Sequence, residues 1–359
     1  MRFKIAIIGG GFAGAATAYA LSRAGLEGVV VLEREAICGA HASGRNAAMC
    51  RSVAEDPHWT ALTTRGAAVL RAPPPDLARA PLVTRTGGIL VASRHATLAA
   101  MGAQAARFAV PHQRLDRAGL EARSPMLAGL PALGAVSFPD DGVIDVHGLL
   151  QGYLAASRAA GVEVVTGAEV IALRAAGAAM EVVTRARTLL AERVVIAAGA
   201  WAGAMGDLVG AAAPPFATLR RHLFVSARDP RVDARAPWVW HVDEGFYMRP
   251  ESTAWLLSAC DEEPHPPGAP SVAPDALEHF AERATTLAPG LHGLTIARSW
   301  ACLRTFAPDR RPFIGWDREV PALFWVAGLG GHGATASAAI GALAADGIVE
   351  GRTTRRWFA

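Results

Sequence analysis

Gly9, Gly11 and Gly14 stand in the spacing G-x-G-x-x-G, and Glu33 follows nineteen residues after Gly14. Glycines so spaced serve a tight turn, a close approach of backbone to a pyrophosphate, and close packing of the next helix on its strand. A carboxylate at Glu33 then accepts bonds from ribose hydroxyls and argues for a ribose that lacks a 2′-phosphate. A second glycine knot, Gly328, Gly330, Gly331 and Gly333, precedes an alanine-rich stretch. It offers another helix N-terminus, whose positive dipole end stabilises negative charge on a reduced, electron-rich ring. A third chemistry comes from arginine. A carboxylate bound in a partly dry site needs paired, planar donors, and the guanidinium fork supplies them better than a point cation. Arg221 in "RRHLFVSA" and Arg304 in "CLRTF" fall in strand patterns that suit such a site, with Arg220 and Arg298 as the neighbours most easily mistaken for them.

The elements that position these groups follow from local pattern. Residues 5–8 form a short, apolar, β-branched run, as expected of a strand buried on both faces of a parallel sheet. A helix is expected over 12–24, with its N-terminal N–H groups aimed at the phosphates, and a second strand over 29–32. "RAPPPD" at 71–76 marks a break, and 82–92 reads as a hairpin outside the first nucleotide unit. Asp145 or Val146 opens a helix near 149–160, followed by a strand at 162–166. Residues 180–184 and 188–190 read as hairpin strands, and 194–197 as a separate buried strand. From about 216 to 300 the alternation in "HLFVSA", "WVWHV", "GFYMRP" and "AWLLSAC" suits a mostly antiparallel sheet. Residues 324–348 restore strand, glycine turn and alanine-rich helix. The nucleotide domain is therefore discontinuous, over 1–81, 144–215 and 301–359, with 82–143 and 216–300 as the substrate domain.

Composition narrows the field. A chain of 359 residues can hold two domains and a sizeable core. Its 52% hydrophobic content comes largely from alanine, and no stretch approaches eighteen uninterrupted apolar residues, so no membrane span is expected. Arg2 and Lys4 before an apolar run imitate a secretory signal, but glycines interrupt the run and cleavage would delete the first strand, which favours a cytoplasmic location. The net charge of +3 is small and the arginines are scattered, which argues against nucleic acid as a partner. Cys38, Cys50, Cys260 and Cys302 have neither metal-ligand spacing nor disulfide-scaffold density, so free thiols and no metal are expected. Lys4 is the only lysine.

The ordered motifs "GGGFAG", "LERE", "GAHASGRNAA", "VVIAAGAWAG", "GFYMRP", "SWACLRTFAPDRRPFIG" and "FWVAGLGGHG" resemble the D-amino-acid oxidase-like FAD enzymes over nearly the whole chain. These include glycine and sarcosine oxidases and the FAD-dependent D-amino-acid dehydrogenases, with the D-arginine dehydrogenase type most similar. The resemblance implies an α/β fold, with a Rossmann-like FAD-binding domain of the glutathione-reductase ββα type and a second, mostly antiparallel β domain for substrate. It implies FAD as cofactor, held by Gly9, Gly11, Phe12, Ala13, Gly14 and Glu33, with Arg34 beside the adenine or ribose. Ser43, Gly44, Arg45, Asn46 and Ala47 would run under the pyrophosphate and isoalloxazine. Val170 would contact adenine through its backbone, and Gly199 with Trp201 would close over the nucleotide. Arg304, Gly330, Gly331, His332, Gly333 and Thr335 would sit against the flavin. Arg221, Tyr247 and Arg304 match carboxylate-holding positions, and His332 joins them as a catalytic candidate.

The chemistry so implied is hydride transfer from the Cα of a bound amino acid to flavin N5, driven by a neutral amine lone pair. The imino acid then hydrolyses to an oxo acid and ammonia. Relatives that reduce oxygen often place a lysine near N5. Lys4 opens the first strand and cannot supply one, so a quinone or other carrier is the expected acceptor, with oxygen as the alternative. Enzymes that select cationic side chains should place a carboxylate in the pocket, yet Gly87 and Gly88 stand where one would be sought. Met49, Cys50 and Arg51 replace more polar or aromatic groups in the loop, with Met49 as a substrate contact. A neutral or apolar D-amino acid is the expected substrate, and a glycine- or sarcosine-type secondary-amine oxidase the alternative.

Overall fold

The computed structural model describes residues 1–351; the end of the stretch assigned above to the nucleotide domain, 352–359, lies outside the described residues. Among the described residues, an eight-stranded sheet runs in the order Val170–Ala176, Ala179–Thr184, Thr188–Ile196, Arg2–Ile8, Val29–Leu32, Glu163–Val165. Leu323–Ala327 also pairs in parallel with Thr188–Ile196, and Phe313–Trp316 pairs with Leu323–Ala327. Successive side chains of a strand face opposite ways, and the core divides accordingly. Ile5 and Ile7 pack with Leu21, Leu62 and Ile340 beneath the helices Phe12–Arg23, Pro57–Arg71 and Gly333–Val349. Ala6 and Ile8 face Leu173, Met180 and Val182 of the antiparallel strands on the other side. Helices on one face and an antiparallel layer on the other make the ββα arrangement.

A nine-stranded sheet carries the substrate side. Its order is Glu263–Pro264, Ala217–Ser226, Ala254–Ser258, Phe246–Glu251, Trp238–His241, Gly88–Ala92, Gly134–Phe138, Gln113–Leu115, with Ile296–Phe306 on the long strand Ala217–Ser226. Its pairings are antiparallel except for Trp238–His241 with Gly88–Ala92. A three-stranded sheet, Met49–Cys50, Gly142–Ile144, Val83–Thr84, ties the loop after the first nucleotide unit to the substrate domain.

Four expectations are corrected. Residues 82–92 are not a hairpin. Val83–Thr84 joins the three-stranded sheet while Gly88–Ala92 joins the nine-stranded one. Gly87, at φ +88°, turns the chain between them, and a Cβ on Gly88 would lie 2.2 Å from the Trp238 ring. The strands expected at 188–190 and 194–197 are one strand, Thr188–Ile196, whose start pairs antiparallel with Ala179–Thr184 and whose length runs parallel to Arg2–Ile8. The division between 300 and 301 falls inside Ile296–Phe306, which pairs along its length with Ala217–Ser226 in the substrate sheet. The division between 143 and 144 likewise falls inside Gly142–Ile144. The helix expected near 149–160 is Val146–Ala159, opened by the Asp145 carboxylate, which accepts from the Gly148 N–H at 2.8 Å.

Candidate active site

A cavity of about 300 Å³ runs between the two domains, from Glu33 and Arg34 at one end to Tyr247, Arg304 and His332 at the other. At the nucleotide end the backbone is shaped for close approach. Gly9 sits at φ +108°, and a Cβ there would lie 2.5 Å from the Ala197 carbonyl oxygen. A Cβ on Gly14 would lie 1.9 Å from the Gly9 carbonyl oxygen, so Gly14 serves the helix packing rather than the cavity, which it does not line. The buried Glu33 carboxylate accepts from the Gly10 N–H at 2.8 Å and the Glu35 N–H at 2.9 Å, which fixes it at the end of its strand. Ser43 Oγ accepts from the Phe12 N–H at 2.9 Å and caps the start of the helix Phe12–Arg23.

The other predicted cofactor residues gather on the same cavity. Ala13, Arg34, Ser43, Arg45, Asn46, Ala47, Val170, Gly199, Trp201, Gly330, Gly331, His332, Gly333 and Thr335 all line it. Gly44 does not; a Cβ there would lie 2.5 Å from the Gly39 carbonyl oxygen, so its role is the turn itself. Asn46 holds that turn by donating to the Ser43 carbonyl at 2.7 Å and accepting from the Ala48 N–H at 2.7 Å. The Arg34 guanidinium lies 4.7 Å from the Trp201 ring centre, and His41 packs on the same ring at 4.7 Å while bonding Glu35 at 2.9 Å. His41 and Glu169 line the cavity and were not anticipated from the sequence.

The far end is built from three elements. Arg304, on Ile296–Phe306, faces the cavity and has neither a hydrogen bond nor an ion pair among the described residues; a Cβ on Gly331, at φ +94°, would lie 3.0 Å from its guanidinium. Tyr247, on Phe246–Glu251, is fully buried and its hydroxyl has no hydrogen-bond partner. Burial raises its pKa, against the opposing pull of Arg304 and Arg221. His332 caps the helix Gly333–Val349 and stacks on Trp59 at 4.5 Å. Burial and the nearby Arg51, outweighing Glu55, push it down to about 3, so its imidazole is neutral across the working range.

Arg221 departs from expectation. It does not line the cavity. Its Nε donates to the Asp261 carbonyl at 2.6 Å and one terminal nitrogen reaches Glu262 at 3.3 Å, while the other has no partner. Strand alternation puts Arg221 on the face of Leu223, which does line the cavity, and the loop beginning at Asp261 has taken its fork. Gly87 and Gly88 are also absent from the lining, because Gly88 makes room for Trp238 instead.

Met49 lines the cavity, and beside it stand Arg51, expected with it in the same loop, and Trp240, which sequence reasoning did not assign. Arg51 is 5% exposed, donates to Glu55 at 2.8 Å and to the Val53 carbonyl at 2.9 Å, and lies 4.4 Å over the Trp240 ring. Thr335 fastens this loop through its hydroxyl, which donates to the Met49 carbonyl at 3.2 Å and accepts from the Arg51 N–H at 3.3 Å. The buried Asp141 holds it from below, accepting from the Ser52 N–H at 3.1 and 3.2 Å. Burial pushes Asp141 up to about 7, against the pull of Ser52 and Arg71.

This donor set suits an FAD. The glycine cradle, the helix N-terminus beyond it, the fixed Glu33 and the Trp201 platform fit an ADP half, and the second glycine turn with its unpaired Arg304 borders the space a ring system would fill. Residues 4–347 match the DAO family, FAD dependent oxidoreductase. The chain is 28% identical to glycine oxidase of Geobacillus kaustophilus over 68% of its length and 63% of the relative's. It is 24% identical to glycine oxidase of Bacillus subtilis over 63% and 59%, so the match spans under two thirds of these relatives. Among solved structures, glycine oxidase from Geobacillus kaustophilus superposes with a TM-score of 0.83 at 25% identity, over 99% of this chain and 96% of that one. L-proline dehydrogenase from P. horikoshii superposes with a TM-score of 0.87 at 21% identity, over 98% and 94%. With nearly the whole chain matched and its cavity shaped for the nucleotide, this protein belongs to the DAO family of FAD-dependent oxidoreductases.

Proposed function

We propose that the chain oxidises a small amino acid with a neutral or apolar side chain, of D configuration, and passes the electrons to a quinone or another carrier. The observation that carries this reading is the unpaired Arg304 guanidinium on the cavity wall, beside the unpartnered Tyr247 hydroxyl. Tyr247 is fully buried and Arg304 half-buried, and a donor left without a partner costs free energy that a ligand carboxylate relieves. The carboxylates lining the cavity are Glu33 and Glu169, both at the nucleotide end. Among the described residues lining the cavity, a cationic side chain thus meets no carboxylate at the Arg304 end, whereas Met49, Trp240 and Leu223 offer apolar surface there. The configuration rests on the family resemblance.

In this reading Arg304 and Tyr247 hold the carboxylate and so fix the direction of the Cα–H bond. The positive field of Arg304 and Arg51, which also acts on His332, favours the deprotonated amine whose lone pair drives the oxidation. Neutral His332 accepts or donates a hydrogen bond without adding charge. FAD, when bound, supplies the hydride acceptor. No lysine borders the cavity, since Lys4 is the only one and lies on the strand Arg2–Ile8; this supports an acceptor other than oxygen. A second reading, a glycine- or sarcosine-type amine oxidase, draws on the glycine oxidases above.

The test is an anaerobic screen of D- and L-amino acids, glycine and sarcosine for bleaching of the bound flavin, followed by air or a quinone analogue. Neutral D-amino acids should bleach it and the quinone should restore colour faster than air. A preference for D-Arg or D-Lys over D-Leu or D-Met would overturn the substrate reading, and fast peroxide release with sarcosine would favour the second.

A further inference from the structure

The segment 261–272 crosses from the strand Ala254–Ser258 toward the helix Ala276–Leu287, and two of its residues, Gly268 and Pro270, line the cavity. His222 pins its two ends. The Asp261 carboxylate bonds His222 Nδ1 at 2.7 Å and accepts from the His222 N–H at 3.0 Å, while His222 Nε2 accepts from the Ala273 N–H at 3.0 Å. Between these pins the segment is also held by the pairing of Glu263–Pro264 with Ala217–Ser226 and by Arg220, which bonds Glu263 and donates to the Ser271 carbonyl at 3.2 Å, while Glu262 reaches inward and outward at once. Inward it takes the Arg221 fork at 3.3 Å. Outward both its oxygens accept from Arg310, at 2.7 and 2.9 Å. Arg310 is tied in turn to the other domain, because its carbonyl accepts from Trp59 Nε1 at 2.8 Å and Trp59 stacks on His332.

The inner arginine is 2% exposed and keeps one terminal nitrogen without a partner, whereas Arg310 is about half exposed (55%). A deeply buried cation joined to a half-exposed one through a single carboxylate makes a two-sided contact: its outer half contributes little, whereas parting its inner half leaves a buried charge without its carboxylate.

We infer that Glu262 is the clasp of the segment 261–272, and that Arg221 is a positioning residue, which holds this segment over the substrate end of the cavity instead of gripping the substrate. The inference rests on the proposed function only in taking the Arg304 end as the substrate end. Opening of the segment then requires the Glu262 contacts to part along with the Glu263–Pro264 pairing and the Arg220 bonds, and Arg221 and Arg310 contribute to how often it opens.

The experiment is hydrogen exchange by mass spectrometry on the FAD-loaded enzyme, with KM and kcat for anaerobic flavin reduction measured alongside. Glu262→Gln should speed exchange in 261–272 by about three- to tenfold and leave the strands of the nucleotide sheet unchanged. It should raise KM by a similar factor with little change in kcat. Arg310→Gln, changed on the exposed side where folding is safe, should do the same, and Glu262→Asp should recover part of the protection. Unchanged exchange of 261–272 in both Glu262→Gln and Arg310→Gln would overturn the inference. So would a fall in kcat without a rise in KM in Glu262→Gln. If no amino acid bleaches the flavin, the substrate reading fails, while the exchange data still decide the role of Glu262.

Discussion

The two ends of the cavity are built on opposite terms. At the nucleotide end the polar groups are already satisfied: both Glu33 oxygens accept backbone N–H bonds, Ser43 caps a helix, and Asn46 closes its own turn. At the substrate end polar groups are left waiting, with the fully buried Tyr247 hydroxyl unpartnered and the half-buried Arg304 unpaired. The first arrangement makes a rigid cradle whose shape is independent of its ligand. The second stores the cost of unmet hydrogen bonds and releases it on binding, which is how a site acquires specificity for a charged group of fixed shape.

The sharpest break of that contrast is Gly14→Val. The first side-chain atom alone would lie 1.9 Å from the Gly9 carbonyl oxygen, so the turn must reshape. We expect loss of bound FAD, read from the flavin absorbance of the purified protein, with a destabilisation above about 3 kcal/mol in denaturant unfolding. Retention of full flavin content would show that the cradle is not rigid.

A smaller effect sharpens the other side. Asp141, beneath the substrate loop, has its pKa raised to about 7 by burial. A carboxyl whose folded pKa exceeds its unfolded one binds more protons when folded, so its stabilising contribution is full below about 4 and is lost as pH rises toward about 7. Thermal unfolding should show this slope in the natural protein, and Asp141→Asn should flatten it between about pH 4 and 7. An unchanged slope would remove Asp141 from the account.

The same contrast explains how much was legible in the sequence. The nucleotide end is local: strand, glycine turn, helix, strand and acid follow one another over residues 5–33, and each carries its own signal. The substrate end is assembled from Met49, Tyr247 and Arg304, whose neighbours depend on sheet order. Alternation along Ala217–Ser226 put Arg221 on the cavity face, as expected, but nothing in its strand announced that Asp261 and Glu262 would claim its fork. Gly87 and Gly88 were misread for a related reason, since their small size serves the Trp238 ring, a contact set by the pairing of Gly88–Ala92 with Trp238–His241. Arg51 was legible as a member of the loop over the substrate, but its pairing with Glu55 and its place over the Trp240 ring were not.

The central claim is that Arg304 recognises a substrate carboxylate, and the most direct measurement compares anaerobic flavin reduction by a neutral amino acid and by its carboxamide, in the natural enzyme and in Arg304→Met. The account predicts that the natural enzyme prefers the acid by about 100-fold or more in kcat/KM, as the loss of a bidentate charged contact implies, and that Arg304→Met reduces this preference to within a few-fold. A natural enzyme that oxidises the amide as readily as the acid, or a preference that survives in Arg304→Met, would contradict it.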